Sequence, residues 1–360
     1  GDARNEKGYQ HLPGMVESLR IKYAESGRIE WRIQSNYNTP RGEATAIVAR
    51  SLLGAQDPDQ VRLYRTALNT DAYRALLLEA DVMILPYGRR EYFARSSGVL
   101  IEALCAGIPV VVPGGSWLGR EIADAVYEYR ESLKTERSLG YRSDRTPRRW
   151  TQDGTNRTFV MRGEGEILLG GEDQRTHTWF RVPAGASHFL LSLRLGEACD
   201  CHAMRMYSEQ RDAAGRMLAR STDVLDVGRC SNRLVNMVRV APGCCRLWVA
   251  LCHAHTDVSV SGKAVECGFV FDRGEAKSLP MSAVGVAVGR DEDYTEALRE
   301  VIDHYDHYRR TAYERSHMTF EHHNANRLIA LLESAHGERA GKAEPAAELE
   351  RARAVAGAEA

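Results

Sequence analysis

The pattern of apolar and polar positions changes twice along this chain. Up to about residue 120, helical periodicity alternates with short continuous apolar runs, such as Val82–Leu85 and Ile108–Val112. Continuous apolar runs between helices are typical of strands that are buried on both faces of a parallel sheet. The pattern therefore predicts an α/β fold with a doubly wound parallel sheet for this region.

The middle of the chain has a period of two. Between about residues 158 and 271, apolar and polar side chains alternate, as from Phe189 to Leu195 and from Leu247 to Leu251. Turn signals such as Pro183-Ala184-Gly185 separate these runs. Short alternating strands with this spacing predict an all-β antiparallel sandwich or jelly roll.

The α/β pattern returns near residue 284, where Val284–Val288 resembles another buried strand and Tyr294–Ser316 a long amphipathic helix. Because the ends of an inserted domain usually lie close together, this order predicts a domain insertion. We expect an α/β domain in two parts, 1–135 and 280–335, around a β-sandwich domain at 155–275. Residues 337–360 are expected to form a disordered or frayed helical tail.

Charge and composition disfavour some classes of protein. The 48 lysines and arginines against 49 acids leave a net charge of −1, which argues against nucleic-acid binding through bulk charge. The longest uncharged stretch, Ala103–Gly119, contains two prolines, so the sequence predicts no transmembrane segment. Without a basic and then apolar leader after Gly1, we expect a cytoplasmic protein, with peripheral attachment at the inner membrane face left open.

Three segments share the motifs of a known family. They are GDARNEKGY at Gly1–Tyr9, AYRALLLEADVMILPYGRREYFARSSGVLIEALCAGIPVVVPGGSWLG at Ala72–Gly119, and the stretch from Val284 to Leu332. Together they resemble the C-terminal, nucleotide-sugar-binding half of the GT-B glycosyltransferases. The resemblance implies a Rossmann-like doubly wound parallel sheet, the GT-B C-terminal lobe, with the all-β domain inserted into it.

The same resemblance implies an activity. The chain would be a glycosyltransferase of the hexosyltransferase type, retaining and metal-independent. It would move a sugar from a nucleoside diphosphate sugar, as donor substrate and without any cofactor, to a hydroxyl of a glycan, a lipid or another acceptor. Since the N-terminal GT-B lobe that binds the acceptor is missing, we expect little or no activity from this chain alone.

The resemblance further implies a donor site in the loops that follow the strands. Lys7, Arg4 and Glu91 are the expected catalytic residues: the two cations would stabilise the leaving diphosphate, and Glu91 precedes Ala94, where the family has the first glutamate of a pair. The nucleotide would bind at the start of the next helix, where free N–H groups favour a pyrophosphate. The expected nucleotide-binding residues are Arg95, Ser96, Ser97, Gly98 and Glu102, the last of which would hold the ribose.

A second function stays open. The chain can instead be a non-catalytic carbohydrate-binding or scaffold protein built on a degenerate glycosyltransferase domain, which Ala94 and the missing half favour. In the β block, Trp179, Trp248 and Tyr207 are expected to lie in the core. The alternative is that they bind sugar rings with their aromatic faces, which fold analogy alone does not establish.

The cysteines and histidines predict no metal site. Seven of the eight cysteines lie between Cys199 and Cys267, and Cys105 stands apart; all are expected to be small buried thiols of a reducing compartment. A zinc site is the alternative, but the sequence has no Cys-x2-Cys pair, and neighbouring residues of a strand point to opposite faces. The residues that such a site would use are Cys199, Cys201, His202, Cys244, Cys245, Cys252, His253 and His255.

Overall fold

The computed structural model describes residues 3–20, 23, 29–36, 43–154, 158–161, 165–195, 203–228, 233–253, 260–272, 279–324 and 326. The helices are α1 (Leu12–Leu19), α2 (Ala44–Gly54), α3 (Thr70–Leu78), α4 (Gly98–Cys105), α5 (Trp117–Ser132), α6 (Tyr294–Asp303) and α7 (Tyr305–His323). The first strands are β1 (Trp31–Gln34), β2 (Val61–Tyr64), β3 (Met83–Ile84), β4 (Val110–Pro113), β5 (Leu139–Ser143), β6 (Arg148–Gln152), β7 (Thr158–Met161) and β8 (Gly165–Leu169). They are followed by β9 (Thr176–Arg181), β10 (His188–Leu195), β11 (Ala203–Arg211), β12 (Met217–Asp226), β13 (Arg233–Arg239), β14 (Arg246–His253), β15 (Val260–Asp272) and β16 (Gly285–Val288).

Most of the described sheet structure is an antiparallel β-sandwich. One sheet has the strand order β13-β10-β15-β5, with β8 also pairing β15, and the other has the order β12-β11-β14-β9-β6-β7. Alternate residues of the long strands meet between the sheets, where Phe180, Phe189 and Phe269 are almost fully buried. The sandwich follows directly from the period of two, because that period places one apolar face on each strand.

The outer faces of the two sheets have different surroundings. The outer face of β13-β10-β15-β5 is covered, since Leu190, Val235 and Val270 pack against Leu133 at the end of α5 and against neighbouring tyrosines. The outer face of β12-β11-β14-β9 carries half-buried and exposed side chains instead. This second face is the larger open surface of the described sandwich.

Parallel strands form two separate small sheets. β1 pairs only with β2, while β3, β4 and β16 pair in the order β16-β4-β3. Helices α4 and α5 pack on one side of β4, against Val110 and Val112, and α1 and α6 pack on the other side, against Val111. Val284–Val288 therefore contributes its strand to the same sheet as the two apolar runs near residues 83 and 110.

The predicted fold class, an α/β Rossmann-like doubly wound parallel sheet of the GT-B type, is wrong. The described strands are mostly antiparallel, and the parallel ones do not join into one sheet. The physical reason is that β4 alone is buried at every position, whereas β1 and β2 expose Arg32 and Arg62 on one face. A doubly wound sheet needs several strands that are buried on both faces.

The predicted domain boundaries at 1–135, 155–275 and 280–335 stay a prediction. The predicted tail at 337–360 lies outside the described residues. Its disorder is therefore also left as a prediction.

Candidate functional site

The open face of the six-stranded sheet presents a row of large side chains across four neighbouring strands. Trp179 of β9 lies directly opposite Trp248 of β14, Trp248 lies opposite Glu209 of β11, and Glu209 lies opposite Arg220 of β12. With strands about 4.8 Å apart, the row extends roughly 14 Å. We call the outer surface around this row the aromatic face.

The two tryptophans are half-buried and are held by their neighbours. Trp248 donates its Nε1 hydrogen bond to Nδ1 of His177 at 3.2 Å, and the two rings lie 5.6 Å apart. Nε2 of His177 lies 3.1 Å from Asp153, which orients the imidazole. The indole of Trp248 is therefore held in place by His177 and Asp153 before any ligand binds.

Arginines extend the aromatic surface. The guanidinium of Arg246 lies 4.7 Å from the ring centre of Trp179, and that of Arg211 lies 5.7 Å from it. Arg211 is also paired with Glu209 at 3.0 Å. Arg246 is exposed, and no described residue accepts a hydrogen bond from its guanidinium. Its N–H groups are therefore available to a ligand that approaches Trp179.

A second row ends in a tyrosine. Tyr207 of β11 donates a hydrogen bond to Glu172 at 2.9 Å, and the guanidinium of Arg175 lies 4.7 Å from its ring centre. Desolvation and the bond to Glu172 raise the pKa of Tyr207, so its hydroxyl stays protonated near neutral pH. Between Tyr207 and His177 the same row contains only the small Ala250, so the surface is lower there than at the tryptophan row.

The charge of the aromatic face is mainly positive. Glu209 is the acid within the tryptophan row, and it already pairs with Arg211. The arginines at outward positions of β6, β9, β11, β12 and β14 are Arg149, Arg181, Arg205, Arg211, Arg220 and Arg246. This local excess is not visible in the net charge of the whole chain.

The expectation that Trp179, Trp248 and Tyr207 lie in the core is wrong. Phe180, the neighbour of Trp179, occupies the inner position of β9. Leu247 and Val249 occupy the inner positions on either side of Trp248. The alternation along β14 could have predicted this position, because the aliphatic residues Leu247, Val249 and Leu251 face inward and leave Trp248 on the outer face. The arginines of this face were missed because single charged residues are ordinary on outer strand positions.

The expected catalytic residues of the first loop lie beside the loop that follows β3. The backbone N–H of Gly88 donates to the carbonyl of Glu6 at 2.9 Å, which joins the two loops. Arg4 pairs with Glu6 at 3.0 Å, and Arg95 lies 3.3 Å from the same carboxylate. Lys7 is half-buried in the turn Asn5–Lys7. Arg4 and Arg95 are thus brought together, but around an acid that sequence reasoning did not consider.

The remaining predicted residues line α4 and its start. Ser97 caps the helix by accepting a hydrogen bond from the backbone N–H of Leu100 at 3.4 Å, while Ser96 and Gly98 are exposed. Glu102 is exposed and accepts a hydrogen bond from the hydroxyl of Tyr73. Glu91 is exposed and its carboxylate lies beside Gly88. The roles assigned to these residues stay predictions.

Four of the described thiols have raised pKa values. Burial raises the pKa of Cys105, Cys244 and Cys252, and raises that of Cys267 to about 12. Such thiols are poor nucleophiles and poor metal ligands at neutral pH. Within the described ranges, no three histidine, cysteine or acidic side chains converge as metal ligands do. Cys199, Cys201, His202 and His255 of the alternative zinc site lie outside the described residues.

Comparisons with known proteins assign the chain to no family. No protein-family model and no curated protein matches the sequence. Among the described helices, none combines the length and the apolar character that a bilayer span requires.

Solved structures overlap with parts of the chain. A bacteriophage CBA120 tailspike enzymatic domain shares 12% identity over 42% of this chain and 21% of its own, with a TM-score of 0.23. A xylanase from Cellvibrio japonicus shares 6% identity over 37% of this chain and 28% of its own, with a TM-score of 0.26. A family 11 carbohydrate-binding module from Clostridium thermocellum shares 10% identity over 38% of this chain and 89% of its own, with a TM-score of 0.21. This chain therefore spans about a fifth of the tailspike domain.

Proposed function

We propose that this chain is a non-catalytic glycan-binding protein and that its aromatic face binds an acidic glycan. The observation that carries the proposal is the pair Trp179–Trp248 on an open sheet surface. The two indoles are half-buried on the outer face instead of packed in the core, and a contiguous aromatic surface that solvent reaches marks a binding site. A pyranose ring suits such a surface because one of its faces consists mainly of C–H groups, whose contact with an indole removes apolar area from water.

The surrounding polar groups complete the recognition. Glu209 accepts hydrogen bonds from sugar hydroxyls, and the arginines donate to hydroxyls or to carboxylate and sulfate groups. Because arginines exceed acids around the tryptophan row, an acidic glycan is favoured over a neutral one. The strand spacing gives room for more than one sugar ring along the row.

Replacement of Trp248 by alanine is the direct test. The variant is expected to lose about 2 kcal/mol of binding free energy, which is the scale of an interface hot spot. This loss corresponds to a ~30-fold larger dissociation constant. Affinity electrophoresis and calorimetry with polygalacturonate, alginate and chondroitin sulfate, beside neutral xylan and cellulose fragments, measure this. The matched control is Phe320→Ala, which removes an exposed aromatic ring on α7.

The same assays test the preference for acidic glycans. Arg246→Ala is expected to weaken binding of the acidic glycans and to reduce its dependence on salt, because one screened ion contact is removed. The exposed Arg62 of β2 provides the control substitution. The proposal is wrong if all these glycans fail to bind folded protein, if Phe320→Ala weakens binding as much as Trp248→Ala, or if single-stranded DNA binds better than every glycan.

The cluster of Arg4 and Arg95 around Glu6 supports a second candidate, the binding of a nucleoside diphosphate. Both guanidiniums lie near Tyr87 and the Ser97 cap, where the start of α4 favours an anion. Glu6 occupies the position that the diphosphate would take. The donor would therefore have to displace this carboxylate from both arginines.

Glu6→Gln is accordingly expected to strengthen the binding of UDP, GDP or ADP. Exposed ion pairs contribute about 0.2–1 kcal/mol each, so removing both is expected to raise the calorimetric affinity about two- to thirtyfold. Glu17→Gln, which removes the exposed partner of Arg20 on α1, is the control. Failure of all three nucleotides to bind both wild-type protein and Glu6→Gln would exclude this second candidate.

A further inference from the structure

A large cleft lies beside the edges of the two sheets, on the side where α5 and α6 pack. Its walls are the edge strands β12 and β13, one from each sheet, together with α5, α6 and the loop between β16 and α6. Its volume is about 610 Å³. That volume lies within the range of small-molecule sites, which occur preferentially between structural units. We call it the β12–β13 cleft.

Arg130 of α5 is held rigidly at the floor of this cleft. Its Nη1 donates to the carbonyl of Val235 at 2.7 Å and to Oδ1 of Asn236 at 3.3 Å, and its Nε donates to the carbonyl of Met281 at 3.1 Å. No described residue accepts a hydrogen bond from the remaining nitrogen, Nη2. The guanidinium thus has a fixed orientation and one unused donor group.

Asp223 of β12 is held in a complementary way. Its Oδ2 accepts hydrogen bonds from Ser221 at 3.1 Å and from Asn236 at 3.2 Å, whereas no described residue donates to Oδ1. Asn236 therefore contacts both charged groups, with its Oδ1 on Arg130 and its Nδ2 on Asp223. This shared neighbour fixes the positions of the guanidinium and the carboxylate relative to each other.

The two charges nevertheless form no direct ion pair. Both line the cleft, both are half-buried, and no pairing contact within 4 Å joins them in the described structure. Burial raises the pKa of Asp223 and lowers the pKa of Arg130, so each charge is kept in a poorly solvated position. Poorly solvated charged groups that lack an ion-pair partner are costly and are typical of functional sites.

The chemistry of this pair selects a ligand that donates and accepts hydrogen bonds at adjacent atoms. Neighbouring hydroxyls do so, because one hydroxyl donates to the carboxylate while the next accepts from the guanidinium. Three of the arginines that line the cleft pair with acids, as Arg239 does with Glu300, Arg290 with Asp293 and Arg299 with Glu296, and the lining as a whole has as many acids as arginines. The lining therefore offers no excess charge to an anion, in contrast to the aromatic face.

We propose that the β12–β13 cleft binds a neutral cyclic polyol, of the size of one sugar ring, between Asp223 and Arg130. This site is centred on Asp223 and Arg130 and shares Arg220 of β12 with the end of the tryptophan row, but it does not depend on glycan binding at the two tryptophans. The ligand places vicinal hydroxyls between the two charged groups. It thereby supplies the hydrogen bonds that the protein leaves open at Oδ1 and Nη2.

The test uses the whole chain and four probes: D-glucose, D-galactose, D-mannose and myo-inositol at millimolar concentration. In calorimetry at least one probe is expected to bind the wild-type protein. The Asp223→Asn variant is expected to bind that probe at least tenfold more weakly. Two control variants are expected to bind the probe with wild-type affinity. They are Asp71→Asn, which changes an exposed acid of α3, and Trp248→Ala, which changes the aromatic face. Loss of cleft binding in Trp248→Ala would show that the two sites are not separate.

Hydrogen exchange of the wild-type protein gives a second measurement that does not require a folded variant. The bound probe is expected to protect residues 126–131, 220–226 and 233–237, and to leave residues 177–180 and 246–250 unchanged. The proposal is overturned if none of the four probes protects the cleft, if protection is confined to the aromatic face, or if Asp223→Asn binds with wild-type affinity.

Discussion

Replacement of Phe189 by alanine is expected to destabilise the sandwich by about 3–5 kcal/mol, the usual cost of removing a buried phenylalanine. Phe189 is completely buried near the start of β10. Its ring lies 4.6 Å from that of Phe180 on the facing sheet and 5.3 Å from that of Phe269 on β15. The cavity would therefore open between the two sheets, where neither backbone can move inward without breaking strand pairing.

Urea unfolding followed by circular dichroism measures this change as a shift of the transition midpoint. Phe189→Leu is the matched variant and is expected to cost much less, because most of the buried volume is retained. The loss of packing is also expected to loosen the aromatic face, because Phe180, which contacts Phe189, belongs to the strand that carries Trp179. A cost below about 1 kcal/mol for Phe189→Ala would show that the two sheets do not pack around this ring.

Replacement of Asp226 by asparagine is expected to remove part of the pH dependence of stability. Asp226 ends β12 and accepts a hydrogen bond from the backbone N–H of Gly115 at 2.8 Å, beside the first turn of α5. Its second oxygen, Oδ2, is buried without a hydrogen-bond partner. Burial raises the pKa of this carboxyl to about 8, although Arg120 and Arg89 act in the opposite direction.

The direction of the effect follows from proton binding. Between the pKa of an unfolded aspartate, about 4, and the folded value near 8, the folded chain holds a proton that the unfolded chain has lost. The stability that Asp226 contributes is therefore fully present below about pH 4. As the pH rises from there, the free energy of unfolding falls by up to about 1.4 kcal/mol per pH unit, and the contribution is lost above pH 8. An asparagine is neutral throughout and still accepts the bond from Gly115.

Urea unfolding at half-unit steps between pH 5 and pH 8.5 gives the comparison. Asp226→Asn is expected to be more stable than wild type at pH 8 and to show a flatter profile. Asp59→Asn, at an exposed turn position, serves as the control. Asp223 also has a raised pKa, so the change of wild-type stability with pH has more than one source. The difference in stability between wild type and Asp226→Asn at each pH isolates the contribution of Asp226. Identical profiles would contradict the assignment.

Much of the secondary structure could be predicted from local pattern. The alternation in β10 and β14 predicted antiparallel strands, and the apolar runs near residues 83, 110 and 286 predicted the three strands that pair in parallel. The wrong fold class came from extending this parallel pattern to β1 and β2. Their exposed arginines show that one face of these strands is not covered.

The candidate sites were less predictable. Trp179 and Trp248 were singled out from composition, but their outward position depended on which neighbour took the core side of the strand. The arginines around them belong to five strands that are distant along the chain. Arg130 and Asp223 were not found at all, because they are separated by 93 residues (223 minus 130) and meet only through Asn236.

The sequence by itself determined the strand and helix periods, the helix cap at Ser97 and the inward face of each long strand, because these depend on residues within a few positions of one another. Only the tertiary structure decided that α5 covers one sheet and leaves the aromatic face open. It also decided that the edge strands β12 and β13 line a cleft with α5 and α6, and that Glu6 lies between Arg4 and Arg95. An alternating pattern defines two faces of a strand, but what covers each face is set by contacts between segments that are far apart in the chain.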